Sequence, residues 1–238
     1  MSGHMHHEPD GVRISIRRVT LTLALISAGF TVLGLVTQML SVGNGRYGHL
    51  LGEDYAHLFD LDAEATLPAW YQTAMLLASA ALLWMIGASR PATGGFRRHW
   101  KFLAWVFVYI SADENAGLHE TIGFWISEHS GDSMGVYAWL IPGLAFVIFI
   151  GLVSWRFLKS LPPPVRTGMM IAAAVYVAGA AGVELLEAPM DPLVGTLPFS
   201  IMVVIEETLE MAGLVMFIHA LLSHLSTLPR HTALVVEP

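Results

Sequence analysis

The chain contains no cysteine, and only 13% of its 238 residues are charged. The missing thiols exclude disulfides, thiolate metal sites and cysteine nucleophiles. The charged fraction is about half of the ~25% that is typical of soluble domains. Because no basic stripe is present to neutralise phosphates, nucleic acid is not expected as a partner. The sequence also lacks signatures of haem, NAD or nucleotide binding.

Long apolar runs make up most of the chain, and 55% of the residues are hydrophobic. A helix needs about 20 apolar residues to cross the ~30 Å hydrocarbon core of a bilayer. Six runs meet this requirement and predict an all-α, polytopic membrane protein with a bundle of about six transmembrane helices. We expect Thr66 to cap the second helix, with Pro68 in its first turn. The predicted spans are residues 19–40, 68–88, 100–126, 136–158, 165–186 and 199–222.

The positions of Lys and Arg predict how these spans are oriented. With a cytoplasmic N-terminus, eleven of the twelve basic residues fall on the inner side, and only Arg46 falls outside. Residues 1–18 and 225–238 are then cytoplasmic tails, and residues 19–224 form the transmembrane domain with an external loop at 41–67. We expect no cleavable signal peptide, because the first apolar run is too long for one.

Acidic residues are concentrated on the opposite, outer side, where 16 of the 19 fall. At 1.5 Å per residue, Asp113 lies ~12 Å below the outer boundary, and residues 206–210 lie ~9–15 Å deep. An acidic side chain placed deep in a membrane helix costs at least ~2.5–3.5 kcal/mol. No Lys or Arg is expected at this depth, so neighbouring carboxylates require shared protons or a bound cation.

Two spans carry acidic stripes at i, i+4, i+7, each with one glycine that allows helix backbones to approach closely. We expect these stripes to face each other, together with two glutamates one turn apart on the fifth span. The stripes are Asp113–Gly117–Glu120 and Glu206–Glu210–Gly213. The predicted metal or proton ligands are Asp113, Glu120, Glu184, Glu187, Glu206 and Glu210.

Other polar residues lie beside the stripes or above them. Glu114 and Glu207 point ~100° away from their stripes and are interpreted as structural. His119 lies about 120° round from the Asp113 stripe and is expected only at the edge of the site. Three loop carboxylates have the alternate spacing of a calcium loop but lack the glycine and glutamate of an EF-hand, so they form either an acidic funnel or a solvated turn. These loop residues are Asp60, Asp62 and Glu64.

Oxygen ligands without thiols favour Ca²⁺, Mg²⁺ or Mn²⁺ over Fe or Zn. The leading hypothesis is therefore cation or proton binding linked to transport or sensing. One alternative is a membrane-embedded, metal-dependent enzyme acting on a lipid or quinone, which needs an open coordination position and a lateral apolar pocket. Another is a structural subunit whose polar network specifies helix packing. Assembly into a homo-oligomer stays open.

Three segments carry a resemblance to a known family. They are LFDLDAEATLPAW at 58–70, SADENAGLHE at 111–120 and EETLEMAG at 206–213. They resemble segments of a bacterial multi-pass inner-membrane family that has no established activity. The resemblance covers most of the hydrophobic core, and it implies a bacterial inner-membrane location and this topology without implying a substrate.

Overall fold

The computed structural model describes residues 12–42, 57–89, 95–130, 135–228 and 234–237. These residues are almost entirely helical, which confirms the all-α prediction. Shorter elements are the 3₁₀ helices Gly135–Trp139 and Ala188–Leu193 and the π-helix Ala178–Val183. The α-helices are α1 (Ile16–Val42), α2 (Leu67–Ala88), α3 (Arg97–Ala116), α4 (Leu118–Ser130), α5 (Leu140–Ser160), α6 (Pro163–Val177), α7 (Glu184–Glu187) and α8 (Leu197–Ser226).

Four helical stretches are long and apolar enough to cross a membrane. They are Ile16–Leu40, Leu67–Ala88, Tyr137–Ser160 and Pro163–Met190. They match the first, second, fourth and fifth predicted spans. The other two predicted spans are also helical, and they are the ones that carry Asp113 and residues 206–210.

Helix α2 begins as predicted. Thr66 precedes it in an extended conformation, and its hydroxyl accepts a hydrogen bond from the Ala69 N–H at 3.4 Å. The same hydroxyl donates to the Ala63 carbonyl at 3.1 Å. This double role ties the preceding turn to the start of α2, because one side chain satisfies both backbone groups.

Helix α8 is central, since it packs against α1, α2, α6 and the π-helix. The contact with α6 is a close backbone approach: a Cβ on Gly213 would lie 2.7 Å from the Tyr176 nitrogen. A Cβ on Gly179 would lie 2.8 Å from the Glu206 carbonyl oxygen. The close approach predicted for Gly213 is therefore confirmed, and it holds the acidic part of α8 against the π-helix.

Large apolar side chains fill the bundle at the end away from the acidic residues. The Trp100 ring stacks on His224 with centroids 5.3 Å apart and 10° between the planes. It meets Phe157 edge-on at 4.8 Å. Trp100, Phe157 and Leu221 have almost no exposed surface. This core joins α3, α5 and α8 at one end of the bundle.

The third predicted span is interrupted, so the prediction of one helix over 100–126 is wrong. Helix α3 ends at Ala116, Gly117 adopts a left-handed conformation with φ 53°, and α4 starts at Leu118. Glycine occupies this conformation readily because it has no Cβ. The residues after Gly117 do not continue the face of α3, and the predicted Asp113–Gly117–Glu120 stripe does not form.

The two ends of the chain contain a feature that the sequence did not predict. Strand β1 (Val12–Ser15) pairs in parallel with β2 (Leu234–Glu237). The chain therefore enters and leaves the bundle at the same end. The predicted tails and loop fall partly outside the described residues, at 1–11, 43–56, 229–233 and 238.

We expect Gly213→Ala to destabilise the protein by about 1–3 kcal/mol, because the added methyl would overlap the Tyr176 backbone. This corresponds to a fall of roughly 2–10 °C in the unfolding temperature, measured by tryptophan fluorescence in detergent. Gly29→Ala is the matched control, since a Cβ there meets no atom within 4 Å. Equal unfolding temperatures for the two variants would contradict the close packing.

Candidate functional site

A cavity of about 340 Å³ lies where α3 ends and where α2 and α8 begin. We call it the acidic cavity. Ten carboxylates line it, and no Lys or Arg belongs to the described part of its wall. The ten carboxylates are those of Asp62, Glu64, Asp113, Glu114, Glu120, Glu184, Glu187, Glu206, Glu207 and Glu210.

The structure brings eleven of the twelve sequence-predicted residues to this cavity, His119 included. Asp60 is the exception. Its carboxylate accepts hydrogen bonds from the Gln38 amide at 3.0 Å and from the Asp62 N–H at 3.1 Å, so it stabilises the turn. Glu114 and Glu207, which were expected to point away from the stripes, also line the cavity, because its wall extends from the π-helix to α2.

Asp113 binds the start of α4. Its carboxylate accepts the His119 N–H at 2.8 Å and lies 3.1 Å from His119 Nδ1. This N–H belongs to the first turn of α4, where free backbone donors and the positive end of the helix dipole favour an anion. The expectation that His119 lies only at the edge of the site is therefore wrong, because the turn at Gly117 brings it back to Asp113.

Trp139 connects this pair to the opposite wall. Its indole N–H donates to the Glu184 carboxylate at 2.6 Å, and its ring meets that of His119 edge-on at 4.9 Å. Glu184 directly follows the π-helix, a type of irregular turn that often occurs at functional sites. Sequence reasoning missed Trp139.

The deepest carboxylates have few partners. Glu207 accepts a hydrogen bond of 2.6 Å from Gln72, a buried amide on α2 that sequence reasoning also missed. A glutamine within an apolar span was the available signal. The Glu187 and Glu206 carboxyl groups lie close enough to interact with each other. Glu187 is only 4% exposed, and its Oε1 has no hydrogen-bond partner among the described residues.

Two loop carboxylates form the mouth of the acidic cavity. The Glu64 carboxylate lies against Gly117, in the space that a side chain at position 117 would occupy. Desolvation by the cavity walls, followed by the charges of Asp60 and Glu120, raises the pKa of Asp62. Desolvation and the charge of Glu120 raise the pKa of Glu64, although nearby His119 opposes this. The mouth therefore repels anions.

The cavity contains no preformed metal centre among the described residues: no three Asp, Glu or His side chains are grouped closely enough to hold a metal ion as they stand. The cavity wall is instead lined by carboxylates, and one buried carboxylate oxygen, Oε1 of Glu187, has no hydrogen-bond partner among the described residues.

The fold and site together define a class: helical bundles with four membrane-length apolar helices and an acidic cavity at one end. The chain belongs to the family described as "Domain of unknown function (DUF8692)", whose family model matches residues 19–225. This agrees with the resemblance to a family without an established activity. No curated protein and no solved structure matches the chain.

The raised pKa of Asp62 makes a prediction about pH. Between its ordinary value of 3.8 and its raised value, the folded protein binds more protons than the unfolded chain, so stability falls as pH rises through that window. Asp62→Asn removes this penalty. We expect the variant to unfold at a higher temperature than wild type near neutral pH, and at the same temperature once the pH is below 3.8.

Thermal unfolding at both pH values in a chelator, which removes any bound cation, measures this difference. Glu128→Gln is the control, because it neutralises an exposed carboxylate outside the acidic cavity. An Asp62→Asn variant that is no more stable than wild type at neutral pH would show that the mouth carries no such penalty.

Proposed function

We propose that this protein crosses the inner membrane of a bacterium six times, with both termini in the cytoplasm and the acidic cavity open to the outer side. Four apolar helices of membrane length support this topology. Helix α8 and the α3–α4 pair complete it, because α8 is enclosed by α1, α2 and α6, and α3 packs along α2. The distribution of Lys and Arg gives the orientation.

The function that we propose is binding of a hard cation in the acidic cavity, linked to transport or sensing. The observation that carries the proposal is ten carboxylates around 340 Å³ with no Lys or Arg among the described lining residues. Carboxylate oxygens are the ligands that Ca²⁺, Mg²⁺ and Mn²⁺ prefer. At ~30 Å³ per molecule, the cavity has room for about ten waters, so an ion would keep part of its hydration shell.

Glu187 and Glu210 are the ligands that we place at the centre of this site. Both are buried, at 4% and 6% exposure, and both line the cavity. A proton shared by the neighbouring carboxyl groups of Glu187 and Glu206 would stabilise the empty state, because it would remove one negative charge. A cation entering the cavity would displace that proton and bind the unpaired Oε1 of Glu187.

A metal-dependent enzyme acting on a lipid or quinone is the second candidate. It uses the same carboxylates, and it requires an apolar pocket beside them. Such a pocket is present, since Tyr176 lines both the acidic cavity and an apolar one. Turnover of an added lipid by the metal-loaded protein would favour this candidate over transport or sensing.

The proposed topology predicts which positions a membrane-impermeant maleimide can reach. Because the chain has no cysteine, single-cysteine variants give an unambiguous signal. We expect Ser130→Cys, at the end of α4, to be labelled in intact cells. We expect Ser160→Cys, at the end of α5, to be labelled only after the membrane is permeabilised. Both serines are exposed in the structure, so burial does not limit the reaction. The reverse pattern would invert the topology.

The cation site predicts stoichiometric binding. Wild-type protein purified without a His tag is titrated with Mn²⁺ and Ca²⁺, and the bound metal is measured by elemental mass spectrometry. We expect Glu187→Gln and Glu210→Gln each to weaken binding at least tenfold, about 1.4 kcal/mol, because each removes a buried charged ligand.

Glu128→Gln is the matched control and should bind as wild type does. All four proteins are first shown to be folded by their thermal unfolding. Folded wild type that binds neither ion at millimolar concentration would refute the cation site. Equal binding by wild type and both cavity variants would place the ion elsewhere.

A further inference from the structure

A second cavity, of about 300 Å³, lies beside the acidic cavity and has a mostly apolar wall. Helices α2, α3, α5, α6 and α8 all contribute to its wall. Of its twenty lining residues, only Ser154 and Tyr176 carry a polar side chain. The Ser154 hydroxyl already has a partner, His99 Nε2, at 3.0 Å. The cavity therefore offers almost no hydrogen bonds to a ligand, and its volume is at the low end for ligand pockets.

This apolar cavity exists because α5 stands away from the bundle along its middle. Phe157 and Leu140, near the two ends of α5, are buried, whereas Val147 and Gly151, on the face that lines the cavity, are exposed. The face of α5 that lines the cavity runs at helical spacing through Val147, Gly151 and Leu158. Gly151 is central on this face, and a Cβ there would meet nothing within 4 Å.

Tyr176 lies where the two cavities meet and lines both. Its hydroxyl interacts electrostatically with the carboxylates of Glu210 and Glu114, so it lies on the acidic side. Its Cβ packs against Gly213, which lines the apolar cavity. A strongly negative compartment and an apolar compartment thus share one side chain as their boundary. The acidic compartment also contains an independent sign of a ligand, the unpaired Oε1 of buried Glu187.

We propose that the two cavities together bind an amphipathic organic cation, with its positively charged head among the carboxylates and a single hydrocarbon chain beside α5. This inference rests on the proposed function, because it requires the acidic cavity to bind positive charge. Charge complementarity selects the head: an anionic head would be repelled, and a neutral head would leave the carboxylates uncompensated. The scarcity of hydrogen-bonding groups in the described wall of the apolar cavity selects the chain.

Native mass spectrometry from a non-ionic detergent tests this with three probes of equal chain length: dodecylammonium, dodecanol and dodecanoate. We expect one dodecylammonium per chain, bound at least tenfold more tightly than either other probe. Gly151→Leu places a side chain in the apolar cavity and should weaken dodecylammonium binding at least tenfold while leaving Mn²⁺ binding unchanged. Gly29→Leu is the matched control, because a Cβ there also meets no atom within 4 Å and α1 lines neither cavity.

The outcomes separate this inference from the cation proposal. Mn²⁺ binding without dodecylammonium binding, or dodecylammonium binding that Gly151→Leu leaves intact, would overturn the inference alone. Equal binding of dodecanol or dodecanoate would also overturn it, since the apolar cavity would then hold ordinary lipid chains whatever their head. If folded wild type binds neither Mn²⁺ nor dodecylammonium, the inference and the proposed function are overturned together.

Discussion

The repulsion among ten carboxylates in one cavity is the constraint on which the rest of the molecule depends. Two unit charges 4 Å apart repel by about 4 kcal/mol even at an effective dielectric constant of 20. Ten ionised groups without basic neighbours would therefore outweigh the whole stability of an ordinary domain, about 5–15 kcal/mol. The protein offsets part of this locally. The first turn of α4 binds Asp113, Trp139 binds Glu184, and Gln72 binds Glu207. The negative charge that these contacts leave uncompensated attracts an external cation.

The irregular elements of the backbone lie beside the carboxylates of the acidic cavity. A left-handed glycine separates α3 from α4, and a π-helix precedes Glu184. At the opposite, apolar end, α2, α3, α5 and α8 are regular, and Trp100, Phe157 and His224 stack closely. A regular helix satisfies its own backbone and offers no free donors in its interior. Breaking α3 at Gly117 exposes the first N–H groups of α4 to Asp113, so the irregularity supplies the compensation that the sequence does not provide as Lys or Arg.

These irregularities also mark the limit of what could be predicted. Apolar run length located the helices, and depth counting placed Asp113, Glu184, Glu206 and Glu210 in one layer, because both depend only on rise per residue. Side-chain direction depends on unbroken periodicity, and the prediction failed where periodicity ends. Gly117 was interpreted as a packing glycine, which misplaced His119 and the Glu120 stripe. Gly213 was interpreted in the same way, and there the interpretation is correct. The two glycines were treated alike because nothing in the local sequence distinguishes a helix-breaking glycine from a packing one. Trp139 and Gln72 were missed since their roles arise from contacts between distant helices.

The order of the two cavities bears on how a bound ion would leave. The acidic lining reaches Glu210 and Tyr176, and Met211 and Leu221 further along α8 are almost fully buried. No carboxylate of the described lining lies beyond Glu210, so transport would require a change of conformation. Helices α6 and α8 are not expected to move apart, because the backbones pack closely at Gly213 and at Gly179, just after α6. Helix α5 is buried mainly near its ends, at Leu140 and Phe157. Under the proposed function, a chain bound beside α5 would contact its loosely packed middle, so occupancy of the apolar cavity would influence any movement of α5 that accompanies release of the cation.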